Sequence, residues 1–220
     1  MAPSFGICST GLEQSPIDIP NTSDPSPFGT VRLAYRETRL NVVNTGRTLQ
    51  VNCDSGSALL LDGASYELLQ FHFHTPSEHL LSGQAYPMEV HFVHCATAGD
   101  LAVLGVMLFG GDESNPMAFE PDASNSLLEM LLALMPASPG QSSSPEASKM
   151  AQLLPGGKRY FTYMGSLTTP PCDEGVRWLV LAQPVVVGGT QVDRFKAVFG
   201  ANARPLQPLN GRQVGAGAFQ

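Results

Sequence analysis

The sequence predicts a mainly β, turn-rich protein. Only 14% of the 220 residues are charged and 43% are hydrophobic. Gly and Pro number 22 and 18, a composition that favours many short strands over a helical bundle. Most apolar stretches alternate with polar residues over short runs, and one helical stripe stands apart. The length fits one domain over 1–220, with no internal repeat and no second-domain boundary. A net charge of −7 and a pI near 5.1 exclude a basic nucleic-acid surface. No apolar run approaches the ~20 residues that span a bilayer. Met1 opens no signal-peptide pattern, as expected for a cytosolic chain or a mature form with a new start.

Residues 1–30 lack periodicity and read as an extended segment wrapped on the body. Short strands are expected at Val31–Tyr35, Arg39–Asn44, Thr48–Asn52 and Ala58–Leu61, and the Asn44-Thr45-Gly46 turn should join the second and third as a hairpin. Tyr66–His74 is a strand, broken by Thr75-Pro76-Ser77-Glu78-His79 because proline removes a ladder donor. Met88–Ala96 follows. The continuous apolar run Leu101–Phe109 belongs in the centre of a sheet. Ser124–Met135 is the clearest helix, with Leu127, Leu128, Met130, Leu131 and Leu134 on one stripe and Pro136 as its stop. The Pro/Ser/Gly-rich residues 136–148 read as a flexible loop. Tyr160–Tyr163 and Arg177–Ala182 are strands flanking Gly165–Pro171. Val192–Phe199 is a short helix, and the tail 215–220 reads as disordered.

The chemistry concentrates in two of these strands. Alternation places Gln70, His72 and His74 on one face of the first, with Phe71 and Phe73 on the other. Glu89, His91 and Val93 share a face of the second, opposite Met88, Val90 and Phe92. Neighbouring strands that turn these faces the same way bring three imidazoles together. Three histidines with one open position are a catalytic zinc arrangement. A lone strand histidine is more often a hydrogen-bonded core residue than a ligand. Here Gln70 precedes His72 and Glu89 precedes His91 on the same faces, and a metal-bound imidazole needs such an acceptor for its other N–H. His79 and His94 read as structural; His94 has the opposite parity to His91 and faces away. Four cysteines allow three full pairings, and no CxxC pair suggests a sulfur-bound zinc. Their spacing alone leaves disulfides and free thiols equally open.

These residues resemble the alpha-class carbonic anhydrase family, closest to its bacterial, algal and plant branches. The resemblance runs from Gln14-Ser15-Pro16-Ile17-Asp18, through Gln70–His74, Ser77-Glu78-His79, Glu89–His94 and Tyr163–Pro171, to Arg204-Pro205-Leu206-Gln207-Pro208. It implies a large twisted, mostly antiparallel central sheet with small surface helices. It implies a Zn²⁺ ion on His72, His74 and His91, with Gln70, Glu89 and the main chain of Asn202 as their hydrogen-bond acceptors. The reaction implied is reversible hydration of CO₂ to bicarbonate and a proton by zinc-bound hydroxide; the family value for the pKa of that water is about 7. Thr168 would orient the nucleophile and pass its own hydroxyl proton to Glu78. Val93, Val103, Leu167 and Trp178 would form the apolar wall for CO₂, with Thr169 on the bicarbonate side.

Two departures bear on activity. Arg47 stands at the family's proton-shuttle histidine, and arginine cannot relay a proton, so turnover should depend on buffer. The N-terminal aromatic pair is missing, which should alter water ordering at the cavity mouth; Thr75 replaces a bulky aromatic of the vertebrate pattern with no expected effect on activity. Cys8 and Cys172 match the disulfide of secreted members, which implies a secreted, periplasmic or organelle-lumen setting; Cys53 and Cys95 have no counterpart. No membrane span or nucleic-acid partner is expected, and the chain is expected as monomer or homodimer. The rival readings are a catalytically silent binding module and a zinc ester hydrolase.

Overall fold

The computed structural model describes residues 6–110 and 124–220. A short helix α1 (Gly6–Thr10) opens the described chain, followed by β1 (Asp18–Ile19), β2 (Val31–Ala34), β3 (Thr38–Asn44), β4 (Leu49–Asn52) and β5 (Ala58–Leu61). Next come β6 (Ala64–His74), β7 (Leu80–Leu81), β8 (Met88–Ala96) and β9 (Leu101–Gly110). Helix α2 (Ser126–Leu134), β10 (Gly140–Ser148), β11 (Arg159–Ser166), β12 (Glu174–Leu181), β13 (Val185–Val187), α3 (Gly189–Phe199) and β14 (Gly215–Ala218) complete it. Twelve strands of the described residues form one sheet. Its main path is β10-β3-β4-β6-β8-β9-β12-β11-β14, with β5 on β6, β2 on β5 and β13 on β9. Pairing is antiparallel except where β9 meets β12 and β13. The apolar run at 101–110 is central, between β8 and β12.

The two faces of this sheet carry different clusters, as strand alternation requires. On one face Phe71, Phe73, Val90, Phe92, Leu104 and Leu179 meet the apolar stripe of α2 and Phe195 of α3. On the other, Val93, Val103, Met107, Trp178 and Val180 pack with Ile17 and Ile19 from the N-terminal segment. The helices follow their local signals. Asn125 caps α2 by accepting from the Leu128 N–H, so that helix starts two residues after Ser124. Gln191 accepts from the N–H groups of Gly188 and Asn125, starting α3 earlier than expected and tying the two helices together.

Three expectations are corrected. Residues 140–148 are not a flexible loop: they form β10, paired with β3 at the sheet edge. An edge strand pairs through the backbone on one side only and tolerates polar, Pro-containing sequence, so it leaves no apolar alternation to read. The tail is not disordered: β14 pairs with β11. Its Gly-Ala-Gly-Ala sequence is short of side chains because a Cβ at Gly217 would collide with Tyr160. The N-terminal segment is extended only in part, since α1 carries Cys8 to Cys172, and the two are disulfide-bonded across 164 residues of sequence. Residues 1–5 of that segment lie outside the described residues.

His94 faces the helix side, away from the other histidines, and bonds Tyr35 Oη at 2.7 Å and the Ala102 carbonyl at 3.2 Å. Burial lowers its pKa from 6.5 to about 4. A base whose folded pKa is depressed contributes stability that is full above the unfolded value and is lost as pH falls between the two. Stability should therefore drop by about 3 kcal/mol between pH 6.5 and 4 from this residue alone. Thermal melts across that window should fall less steeply in His94→Gln than in the wild type; equal slopes would contradict the assignment. Opening the 164-residue disulfide loop should cost about 5 kcal/mol, or roughly 10 °C in Tm, read by melts with and without a strong reductant.

Candidate metal centre

Strands β6 and β8 pair so that His72 lies opposite His91, His74 opposite Glu89, and Gln70 opposite Val93. This register depends on a bulge at Leu69, between the Leu68–His94 and Gln70–Val93 pairs. The bulge inverts the parity of the strand. Upstream, Tyr66 and Leu68 point into the helix-side core; downstream, Gln70, His72 and His74 point to the opposite face. The ring centroids of His72 and His74 are 5.0 Å apart, those of His72 and His91 5.4 Å, and those of His74 and His91 4.6 Å. One nitrogen from each ring lies within 4.8 Å of the others.

The rings are oriented from behind. Gln70 Oε1 is 2.9 Å from His72 Nδ1, and Glu89 Oε1 is 2.9 Å from His91 Nε2. Neither nitrogen of buried His74 has a hydrogen-bond partner among the described residues; its Nδ1 sits 3.3 Å from Glu78 Oε1. Asn202 is close by. Its Oδ1 accepts from the Thr75 N–H at 2.8 Å, and its Nδ2 donates to the Arg47 and Phe73 carbonyls. An unpartnered buried imidazole nitrogen is costly. Three rings converging with one nitrogen each, kept neutral or backed by a carboxylate, fit a divalent metal ion. Burial, reinforced by His91, lowers the pKa of His74 to about 3 against the opposing pull of Glu89 and the Asn202 main chain. Burial and the two neighbouring rings hold His72 well below its usual value. In His91 burial acts downward, but Glu89 and then Glu78 raise it overall.

Glu89 is itself fully buried. Its Oε2 accepts from the backbone N–H groups of Glu78 and His79, and its Oε1 from His79 Nδ1 at 2.8 Å. Burial alone would raise its pKa; His79 and His91 outweigh that and hold it well below the carboxylate range. A Cβ at Gly105 would fall 2.9 Å from Glu89 Oε1, so glycine opposite His91 leaves the carboxylate its room. Beyond His79, its Nε2 is 2.7 Å from Tyr163 Oη, which is 2.8 Å from Ser15 Oγ. Tyr163, Ser15 and Gly105 escaped the sequence reading as site supports, and His79 entered it as structural. The Ser77-Glu78-His79 run was the available signal.

In front of the rings the cavity has two lobes that share His72, Thr168 and Thr169. The first lobe, of about 380 Å³, also contains the charged or polar side chains of Arg47, His74, Glu78 and Asn202. The second, of about 310 Å³, is walled by Val93, Val103, Leu167 and Trp178, with Leu69, Leu101 and His91 beside them. All four expected wall residues are therefore side by side. Thr168 rides on a loop secured by Trp178 Nε1 donating to the Ser166 carbonyl at 3.0 Å, Leu167 N–H to Asp173 and Cys172 N–H to Thr169. Burial raises the pKa of Glu78, while His91, the Arg204 N–H and the Thr168 hydroxyl act to lower it. Arg204, also missed from sequence, donates its backbone N–H to Glu78 Oε1 at 2.8 Å. Its guanidinium bonds the carbonyls of Ser15 and Cys8 and Gln14 Oε1. Cys53 and Cys95 are half-buried free thiols, and burial with Asp54 pushes Cys53 up to about 12.

The profile of the eukaryotic-type carbonic anhydrase family matches residues 2–217. A carbonic anhydrase of Nostoc is 41% identical over 97% of this chain and 79% of its own length. One from Pectobacterium atrosepticum is 39% identical over 97% of this chain and 84% of its own. The solved alpha-carbonic anhydrase of Photobacterium profundum superposes with a TM-score of 0.85 at 43% identity, covering 96% of this chain and 92% of that one.

If Glu89 holds His91 for a metal, Glu89→Gln should weaken binding of a divalent ion about 10- to 100-fold. Competition with a chromophoric chelator measures this; an unchanged affinity would remove Glu89 from the centre.

Proposed function

The chain belongs to the eukaryotic-type, or alpha, carbonic anhydrase family, and on that premise we propose that it interconverts CO₂ and bicarbonate at a zinc ion held by His72, His74 and His91. The observation that carries this is the convergence of three buried or half-buried imidazoles where a lobe bearing Arg47, Glu78 and Asn202 meets one walled by Val93, Val103, Leu167 and Trp178. Zinc, when bound, supplies a Lewis acid that brings the pKa of water to about 7, a value known for carbonic anhydrases in general.

The chain's own residues do the rest. Ionised Glu78 accepts the Thr168 hydroxyl proton, which leaves the Thr168 oxygen with lone pairs only toward the cavity. That oxygen then accepts from the nucleophile and turns its free lone pair toward carbon. The Arg204 N–H and the hydroxyl of Thr168 both favour the ionised Glu78 this needs, against its burial. CO₂ is apolar and rests on Val93, Val103, Leu167 and Trp178, where no donor competes for it; Thr169 faces the polar product. Arg47 lines the first lobe, and an arginine side chain cannot carry the product proton outward. Among the described residues the two lobes hold no further histidine, and proton export falls to buffer. The Cys8–Cys172 disulfide favours an oxidising, extracytoplasmic setting.

Stopped-flow hydration tests these roles. Thr168→Ala should lower kcat/KM about 100-fold or more while Thr168→Ser retains most activity. Equal activity of the alanine variant would remove Thr168 from the mechanism. Imidazole added at fixed pH and ionic strength should raise kcat, and Arg47→His should raise it in weak buffer. A kcat indifferent to imidazole would mean that another relay exists.

A further inference from the structure

Strands β11 and β12 carry a second cavity outside both catalytic lobes, lined in part by Tyr163 and Val214. By alternation Thr162, Met164 and Arg177 point opposite to Tyr163 and Trp178. Together with Pro25 and Phe28 of the N-terminal segment and Gln213 before β14, they line a pocket of about 200 Å³. None of its lining residues belongs to either catalytic lobe.

Two of its polar side chains have no hydrogen-bond partner among the described residues. The half-buried Arg177 guanidinium lies 5.4 Å from the centre of the Phe28 ring. It makes no hydrogen bond or ion pair with a described residue. The other partly buried arginines compared here, Arg204 and Arg212, spend their donors on carbonyls. A guanidinium has five donors in a fixed fork suited to a carboxylate, and stacking on an aromatic ring leaves that fork free. Thr162 is buried, yet its hydroxyl also makes no hydrogen bond among the described residues. Two idle donors therefore share one cavity with the apolar surfaces of Phe28, Met164 and Pro25.

We propose that this cavity binds a small monocarboxylate with an apolar body. Arg177 takes the carboxylate in its fork and Thr162 adds a hydrogen bond. Phe28 and Met164 hold the body. The exposed Asp24 at the rim carries the same sign of charge as the ligand and disfavours dianions such as phosphate.

Benzoate serves as the probe, titrated into the ¹⁵N-labelled, metal-loaded enzyme at constant ionic strength. Saturable shifts are expected at the amides of Thr162, Arg177, Gln213 and Gly215. Arg177→Gln should weaken this binding about tenfold or more with the same CO₂ hydration rate, its own spectrum reporting that it is folded. Asp24→Asn, an exposed change, should tighten it, and inorganic phosphate should produce no such shifts. Three outcomes would overturn the proposal: no shifts, shifts confined to Thr168, Thr169 and the catalytic lobes, or shifts that survive Arg177→Gln.

Discussion

The buried Glu89 carboxylate is the interaction on which the rest of the site depends. A fully desolvated charge is tolerated only when it is paired and hydrogen-bonded. Glu89 meets that condition with the N–H groups of Glu78 and His79, the His79 ring and the His91 ring. Each partner is thereby fixed. The 75–79 break in β6 folds back over the site because its amides are anchored there. His91 is held in one tautomer, and His79 hands the constraint on to Tyr163 and Ser15. Gly105 makes the arrangement sterically possible. The apolar sheet face around it keeps water out, which strengthens every one of these bonds.

A second set of ties closes the front. Arg204 links Glu78 to the N-terminal segment, bonding Ser15, Gln14 and Cys8. Cys8 in turn is bonded to Cys172, which follows Thr168 and Thr169 on their loop. Residues far apart in sequence therefore set the distance between Thr168 and Glu78. This explains why an N-terminal segment with no periodicity of its own is ordered: its contacts are the walls of the catalytic cavity.

Much of this was legible beforehand. Strict alternation at 70–74 and 88–94 assigned each histidine its face, because the period of a strand is two and burial enforces it. The apolar run at 101–109 announced the central strand, and Leu127 to Leu134 announced a helix. The bulge at Leu69 was not legible, since one extra residue changes parity without changing composition. Half-exposed Leu69 (46%) is its only trace. β10 and β14 were missed for a related reason: they sit at the two ends of the sheet's main path, and Ser, Gly and Pro carry no periodic signal. Nor could spacing show that His79 supports Glu89, because that contact is made across the fold and not along a strand.

CO₂ hydration measured by stopped flow while zinc is titrated into metal-stripped protein tests the zinc-centred mechanism most directly. That mechanism predicts that activity rises in proportion to bound zinc and stops rising at one ion per chain. One zinc bound per chain with hydration no faster than buffer alone would contradict it and make the family site in this chain a binding module.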